Sequence, residues 1–156
     1  MADFIYEEGN EELLDFIKPL WEQLNEEHRH LSKNFSNVFI SNKFEKRKAG
    51  LIEQAKSGLI RVDLVKDSMS NRYIGYCVST VDNRKVGEVE SLFIEDRYRG
   101  LGIGDNLMKK ALSWMDNVST VKKIINVAYG NEKVFSFYSK YGFYPRSYIT
   151  EQIEYE

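Results

Sequence analysis

Glu95-Asp96-Arg97-Tyr98-Arg99-Gly100-Leu101-Gly102-Ile103-Gly104 joins an apolar, alternating stretch, Val86–Ile94, to a stripe of Leu107, Met108, Ala111, Leu112 and Met115 at helical spacing. The joint carries three glycines in five residues. Glycine accepts left-handed backbone angles and lets a ligand come close to the main chain. Successive N–H groups leading into a helix N-terminus make a concave donor surface, and the helix dipole favours negative charge there. Arg97 and Arg99 add two full positive charges. Such a turn suits a phosphate, and a pyrophosphate best. The spacing is not the Gly-x-Gly-x-x-Gly of a dinucleotide fold, and Gly104-Asp105-Asn106 does not supply the Gly-Lys-Ser/Thr ending of a Walker loop.

Outward from this turn the pattern predicts a mixed α+β domain. Asp3–Glu7 reads as a first strand. Leu13, Leu14, Ile17, Leu20, Trp21 and Leu24 make Glu11–Glu27 an amphipathic helix that Pro19 kinks or splits. Ser41–Ser57 reads as a second helix stopped by Gly58. Leu59–Lys66, Arg72–Asp82 and Val86–Ile94 alternate and are separated by turn residues, a three-strand meander. After the glycine turn come a helix over Gly104–Asn117, a strand over Lys123–Ala128, a helix over Asn131–Tyr141 and two short strands within Phe143–Glu156.

Arg99, Gly102 and Gly104 fit an Arg/Gln-x-x-Gly-x-Gly pattern. With it the chain resembles the GNAT superfamily of acetyl-CoA-dependent N-acetyltransferases, whose members carry this signature between their fourth strand and third helix. Two further features agree. Asn131 is followed seven residues later by Tyr138, and Tyr141-Gly142-Phe143 forms the turn that often follows in that family. The resemblance is close over Val86–Pro145 and extends to the first 85 residues only in element order. It implies one domain over residues 1–156, with about seven strands, mostly antiparallel and splayed between the fourth and fifth, and about four helices on the faces of the sheet. It implies acetyl-CoA as co-substrate and no metal.

Acetyl transfer to an amine has three physical requirements. The ammonium must lose a proton, the carbonyl oxygen needs donors as it becomes negative, and the departing thiolate needs a proton. By resemblance, main-chain groups of Leu92, Phe93 and Ile94 hold the pantetheine arm. Gly100, Leu101, Gly102, Ile103, Gly104 and Asp105 cradle the pyrophosphate, with Arg99 bracketing it, while Arg97 reads as a solvated charge. Tyr138 is the resemblance-based general acid, with Tyr141 the alternative if the register differs. Asn131 either caps its helix or contacts the pantetheine. Glu88 and Glu90 are two acids in an otherwise apolar strand. Strict alternation puts them on one face with Leu92 and Ile94. Family members place a catalytic glutamate at one or the other position, and Glu90 is favoured as base because it is nearer the reacting carbon. A carboxylate beside a buried thioester should have a raised pKa. A single bulge would change which acid faces the thioester.

Composition excludes several classes. A chain of 156 residues with 42% hydrophobic and 13% aromatic residues is a globular domain and not a disordered chain. No apolar run approaches the ~18–20 residues of a membrane span, and the acidic start lacks the order of a secretory signal. A cytoplasmic location is the expectation. One cysteine, Cys77, and two histidines make neither an internal disulfide nor a zinc-ligand set. Cys77 reads as a buried hydrophobe. His28 and His30 read as exposed loop histidines, and Trp21 and Trp114 as core. Twenty-two bases against twenty-four acids exclude a strong sequence-independent nucleic-acid binder. The first thirty residues carry nine acids and two bases, whereas the rest carries fifteen acids and twenty bases. That asymmetry is either an ordinary solvated face or an acidic surface for a cationic substrate. The expected function is acetyl transfer to a primary amine, a small cationic one first, by direct attack in a ternary complex. The alternatives are a protein N-terminal or lysine acetyltransferase and a non-catalytic CoA-binding module. A homodimer through the terminal strands is compatible with the pattern.

Overall fold

The computed structural model describes residues 3–153. A five-stranded sheet, β1 (Phe4–Gly9), β2 (Leu59–Asp67), β3 (Arg72–Val81), β4 (Val86–Ile94) and β5 (Lys122–Ile125), runs in the order β1-β2-β3-β4-β5. The first four strands pair antiparallel, and β5 lies parallel to β4. Helices α1 (Lys18–Leu31), α2 (Ser36–Ser41) and α3 (Phe44–Ser57) precede β2. Helix α4 (Ile103–Asn117) leads from β4 to β5, and α5 (Phe135–Ser139) follows β5.

Pro19 does split the first helical pattern. Glu11–Ile17 is a 3-10 turn, and α1 begins at Lys18 with the proline in its first turn, where a missing N–H costs no intrahelical bond. Both faces of the sheet are covered. On one face Leu14, Ile17, Leu20, Trp21, Phe44 and Leu51 pack on Val62, Leu64, Tyr76, Val78 and Phe93. On the other, Ile103, Leu107, Met108, Ala111 and Met115 of α4 pack on Val65, Ile74, Cys77, Val81 and Val89. Cys77 is fully buried, its thiol pushed up to about 12 by desolvation, as befits a small hydrophobe. Trp21 is in the core, while Trp114 only packs partly against it.

Two expectations about the elements need correction. Among the described residues there are five strands and five α-helices, not about seven and four. The extra helix, α2, is one and a half turns cut from the polar stretch before Ser41, which has no apolar periodicity to announce it. The strands expected within Phe143–Glu156 do not form over Phe143–Ile153. Tyr144, Tyr148 and Ile149 are residues of strand propensity, yet they are 73%, 74% and 91% exposed. A β pattern needs a partner edge to become a strand, and this segment lies against none. Residues 154–156 of that range lie outside the described residues.

Candidate active site

Strand β4 is where the sheet opens. Val86–Val89 pair with Lys122–Ile125, and the pairing ends there. Beyond that point Glu90–Ile94 and Asn126–Ala128 diverge and become opposite walls of one cleft of about 720 Å³. The splay expected between the fourth and fifth strands is present. A volume of this order lies in the ~300–1,000 Å³ range of small-molecule sites.

The glycine turn closes one end of the cleft. Gly100 and Gly102 have φ of +80° and +84°, the left-handed region, and a Cβ on either would meet nothing within 4 Å. Glycine is therefore demanded there by backbone angle, with open space beside it. No side chain caps α4, and the first N–H to turn inward is that of Asn106, which donates to the Gly102 carbonyl. The N–H groups before it are the unsatisfied donors of a helix start, available to an anion. The residues present thus fit a bound pyrophosphate. The loop is pinned from beneath by buried Tyr98, whose hydroxyl donates to Asp67 on β2 at 2.8 Å while Arg97 donates to that hydroxyl at 3.0 Å. Arg97 is otherwise exposed, close to its expected solvated state.

Within the cleft the structure brings together Leu92, Phe93 and Ile94, the backbone of Gly100 and Gly102–Asp105, Arg99, Asn131 and Tyr138. Leu101 is 59% exposed and its side chain is outside the lining, so only its backbone belongs to the turn. Gly104 allows the close approach of α5, since a Cβ there would stand 3.2 Å from the Phe137 ring. Asp105 fastens the same helix by accepting from the Tyr141 hydroxyl and, at 3.1 Å, from Lys140. Tyr141 is thereby occupied away from the cleft. Tyr138 lines it instead, and desolvation pushes its phenol up to about 12. Asn131 precedes its helical turn without a side-chain cap, so its amide remains available to the cleft.

The two strand acids sit differently from the expectation. Ser91 pairs with Val78 but Val89 pairs with Ser79, so Glu90 is the extra residue of a β-bulge. The bulge breaks the alternation. Leu92 and Ile94 face the α4 side, whereas Ser91, bonded to the Tyr76 hydroxyl, and Phe93 face the side of α1 and α3. Glu90 also points to that side, where its carboxylate accepts from Thr80 at 2.8 Å and from Arg47 of α3 at 2.9 Å. Arg47 additionally donates to the Glu90 carbonyl at 3.2 Å, clamping the bulge. The expectation that Glu88 and Glu90 share a face with Leu92 and Ile94 is overturned by this one inserted residue.

Their ionisation is reversed as well. Burial would raise Glu90, but the proton offered by Glu88, the Thr80 hydroxyl and the Arg47 guanidinium outweigh it and hold Glu90 below its ordinary value. Glu88 is raised to about 7, by desolvation first and then by its hydrogen bond to Glu90 and that group's charge. Glu90 borders the cleft with only 4% of its side chain exposed, while Glu88 stands behind it, outside the lining. The pair shares one proton that rests on Glu88.

Three cleft residues carried no sequence motif. Arg47 lies in KFEKRKAG, which reads as a solvated charged run. Its only signal was indirect, because an acid inside an apolar strand calls for a cation from elsewhere. Glu27 of α1 reaches Arg99 at 3.0 Å. His28, expected in an exposed loop, is on α1, borders the cleft, packs against Phe39 with the ring centres 5.6 Å apart and is lowered by burial, whereas His30 is exposed. Among the described residues no group of three His, Cys, Asp or Glu is arranged to hold a metal, and no helix is long and apolar enough to cross a membrane.

A splayed sheet with a capless helix N-terminus at one end of the gap makes an extended cleft suited to a phosphate-bearing ligand. The profile of the acetyltransferase (GNAT) family matches residues 15–143, and the chain belongs to that family. It is an acetyl-CoA-dependent N-acetyltransferase by that membership. Solved structures with the same fold include aminoglycoside N-acetyltransferase AAC(6')-Iy in complex with CoA (TM-score 0.69, 13% identity, 99% of this chain and 96% of that one). A GCN5-related N-acetyltransferase from Ralstonia eutropha is similar too (0.73, 13%, 97% and 99%). So is the ribosomal-protein-alanine N-acetyltransferase of Brucella melitensis biovar Abortus (0.63, 11%, 99% and 100%). At these identities the likeness is one of fold. No curated protein sequence matches the chain significantly.

Proposed function

We propose that this chain transfers acetyl from acetyl-CoA to the primary amine of a small cationic acceptor, by direct attack in a ternary complex. The observation that carries the reading is Glu90. It is a nearly buried carboxylate held ionised on the wall of the cleft, on the face that α1 and α3 cover and opposite the face of Leu92 and Ile94. An ionised carboxylate there attracts an ammonium and fixes its orientation.

Acetyl-CoA supplies the acetyl thioester. The glycine turn and the α4 N-terminus hold its pyrophosphate, and the unpaired edge of β4 from Leu92 to Ile94 aligns its arm. Proton removal from the acceptor falls to the Glu88–Glu90 pair. Above pH 7 both carboxylates are ionised, and a proton taken up at Glu90, directly or through a water, settles on Glu88. This differs from a base role for Glu90 alone, because the group with the raised pKa is its neighbour. Tyr138 donates to the leaving sulfur, and its raised pKa keeps the phenol protonated at every physiological pH. Asn131 orients the arm near that phenol.

The neighbouring fold of an enzyme solved with a CoA–acetylneamine bisubstrate analogue supports including aminoglycosides among the acceptors to test. The test is CoA release from acetyl-CoA with polyamines, aminoglycosides, amino acids and short peptides, using wild type and Tyr138→Phe. Transfer to a cationic small molecule, slowed about 10- to 100-fold in the variant, is expected. Transfer to peptides alone would favour a protein acetyltransferase, and CoA binding without transfer to any amine would favour a binding module.

A further inference from the structure

Arg99 belongs to the glycine turn, yet its guanidinium is engaged entirely on protein groups. Nε donates to the Ile94 carbonyl at 2.8 Å, one terminal nitrogen meets Glu27 at 3.0 Å and the other meets Asp96 at 3.4 Å. The plane lies 5.2 Å over the Phe93 ring. Glu27 comes from α1, across the cleft from the turn, and both residues border the cleft. The side chains are 36% and 38% exposed, the situation in which an ion pair is weak and exchanges partners readily. A pyrophosphate on the turn carries more charge than one carboxylate and offers paired oxygens, the acceptor geometry a guanidinium favours. It would outcompete Glu27 for Arg99.

The carboxylate left behind lies on a useful line. Phe93 and Glu90 face α1 on the same side of β4, and Arg99 rests on Phe93. Glu90 and Ile94 are four residues apart, roughly 13 Å along an extended strand. Arg99, bonded to the Ile94 carbonyl, puts Glu27 at the Ile94 end of that span and Glu90 at the other. The other charged groups near this position are Arg99, Asp96, His28, which burial keeps neutral at pH 7, and Lys133, which acts on His28.

We propose that Glu27 binds a second ammonium of an extended polycationic acceptor, and that Arg99 covers it until the pyrophosphate of acetyl-CoA draws Arg99 away. The cofactor then builds the far cation site of its own co-substrate, and by linkage each ligand tightens the other. This inference rests on the reading of the cleft as a site for cationic amines.

Calorimetry of CoA binding, with and without spermidine as the probe cation, tests it. Glu27→Gln should tighten CoA by about threefold, the size of one released surface pair, and this gain should vanish in an Arg99→Gln background. Glu26→Gln, one position earlier on α1 and paired with Arg29, should leave CoA affinity unchanged and thereby removes a general charge effect. Saturating CoA should tighten spermidine about fivefold in the wild type and less than twofold in Glu27→Gln. Unchanged CoA affinity in Glu27→Gln, equal gains in Glu26→Gln, or no binding of spermidine to the CoA complex would overturn the inference. Absence of transfer to every amine with the CoA arm intact would overturn the proposed function instead, and leave the exchange at Arg99 standing.

Discussion

The two ends of the cleft are built on different principles. The glycine turn offers backbone: positive φ at Gly100 and Gly102, a helix start with no side-chain cap, and a loop anchored by Tyr98. The opposite wall presents side chains: Glu90 of β4, held by Arg47 of α3 and Thr80 of β3, with Glu88 behind it. A backbone site is contiguous in sequence and tolerates changes of side chain between its glycines. A side-chain site is assembled by tertiary packing and can change one member at a time. The first end suits the ligand shared by a whole family, and the second suits an acceptor particular to one enzyme.

The largest effect should come from the side-chain wall. Glu90→Gln keeps the shape but removes the charge that Arg47 and Thr80 stabilise, and kcat/KM should fall about 10²- to 10³-fold while CoA affinity is unchanged. A loss under threefold in steady-state kinetics would show that this wall does no chemistry. The backbone end should respond in binding and not in chemistry. Gly102→Ala asks an L-residue to hold φ near +84°, at a cost of about 1–2 kcal/mol, with no packing clash to add to it. CoA affinity by calorimetry should drop about tenfold with kcat at saturation nearly unchanged.

Much of the glycine-turn end was legible in the sequence. The glycine spacing, the apolar strand before it and the helical stripe after it are local signals, and local signals survive folding. The three-strand meander and the interruption at Pro19 were legible for the same reason. The acceptor wall was not. Arg47 sits among lysines on a charged helix face, and the charge pattern does not distinguish the one that turns inward. The bulge at Glu90 is invisible to alternation, because one extra residue leaves the composition of β4 unchanged while reversing the facing of its first half. The C-terminal strands failed in the other direction. Their aromatic and β-branched residues were real, but pairing is a property of two edges, and residues 143–153 have only one.

The smallest effect, and the sharpest discriminator within the wall, is in pH. As pH rises through about 7 the pair gives up its shared proton, so the form able to accept one from the ammonium accumulates. The logarithm of kcat/KM should climb with unit slope below that point and level above it. Glu88→Gln removes the second carboxylate, and the rising limb should move down toward the carboxylate range while the rate at pH 8 changes about twofold or less. A limb that stays near 7 would assign the titration to another group.

The bulge in β4 behaves as a frameshift does in a coding strand. Downstream of it, Phe93 and Ile94 keep their places whatever happens above. Removal of the extra residue would restore the two-residue beat and leave Glu88 opposite Thr80, but no carboxylate would then stand between Val89 and Ser91 for Arg47 and Thr80 to hold. The chemistry of this protein thus depends on a count of residues as much as on their kinds. A relative with one residue fewer at this point would keep the fold and the glycine turn and lose the proposed base.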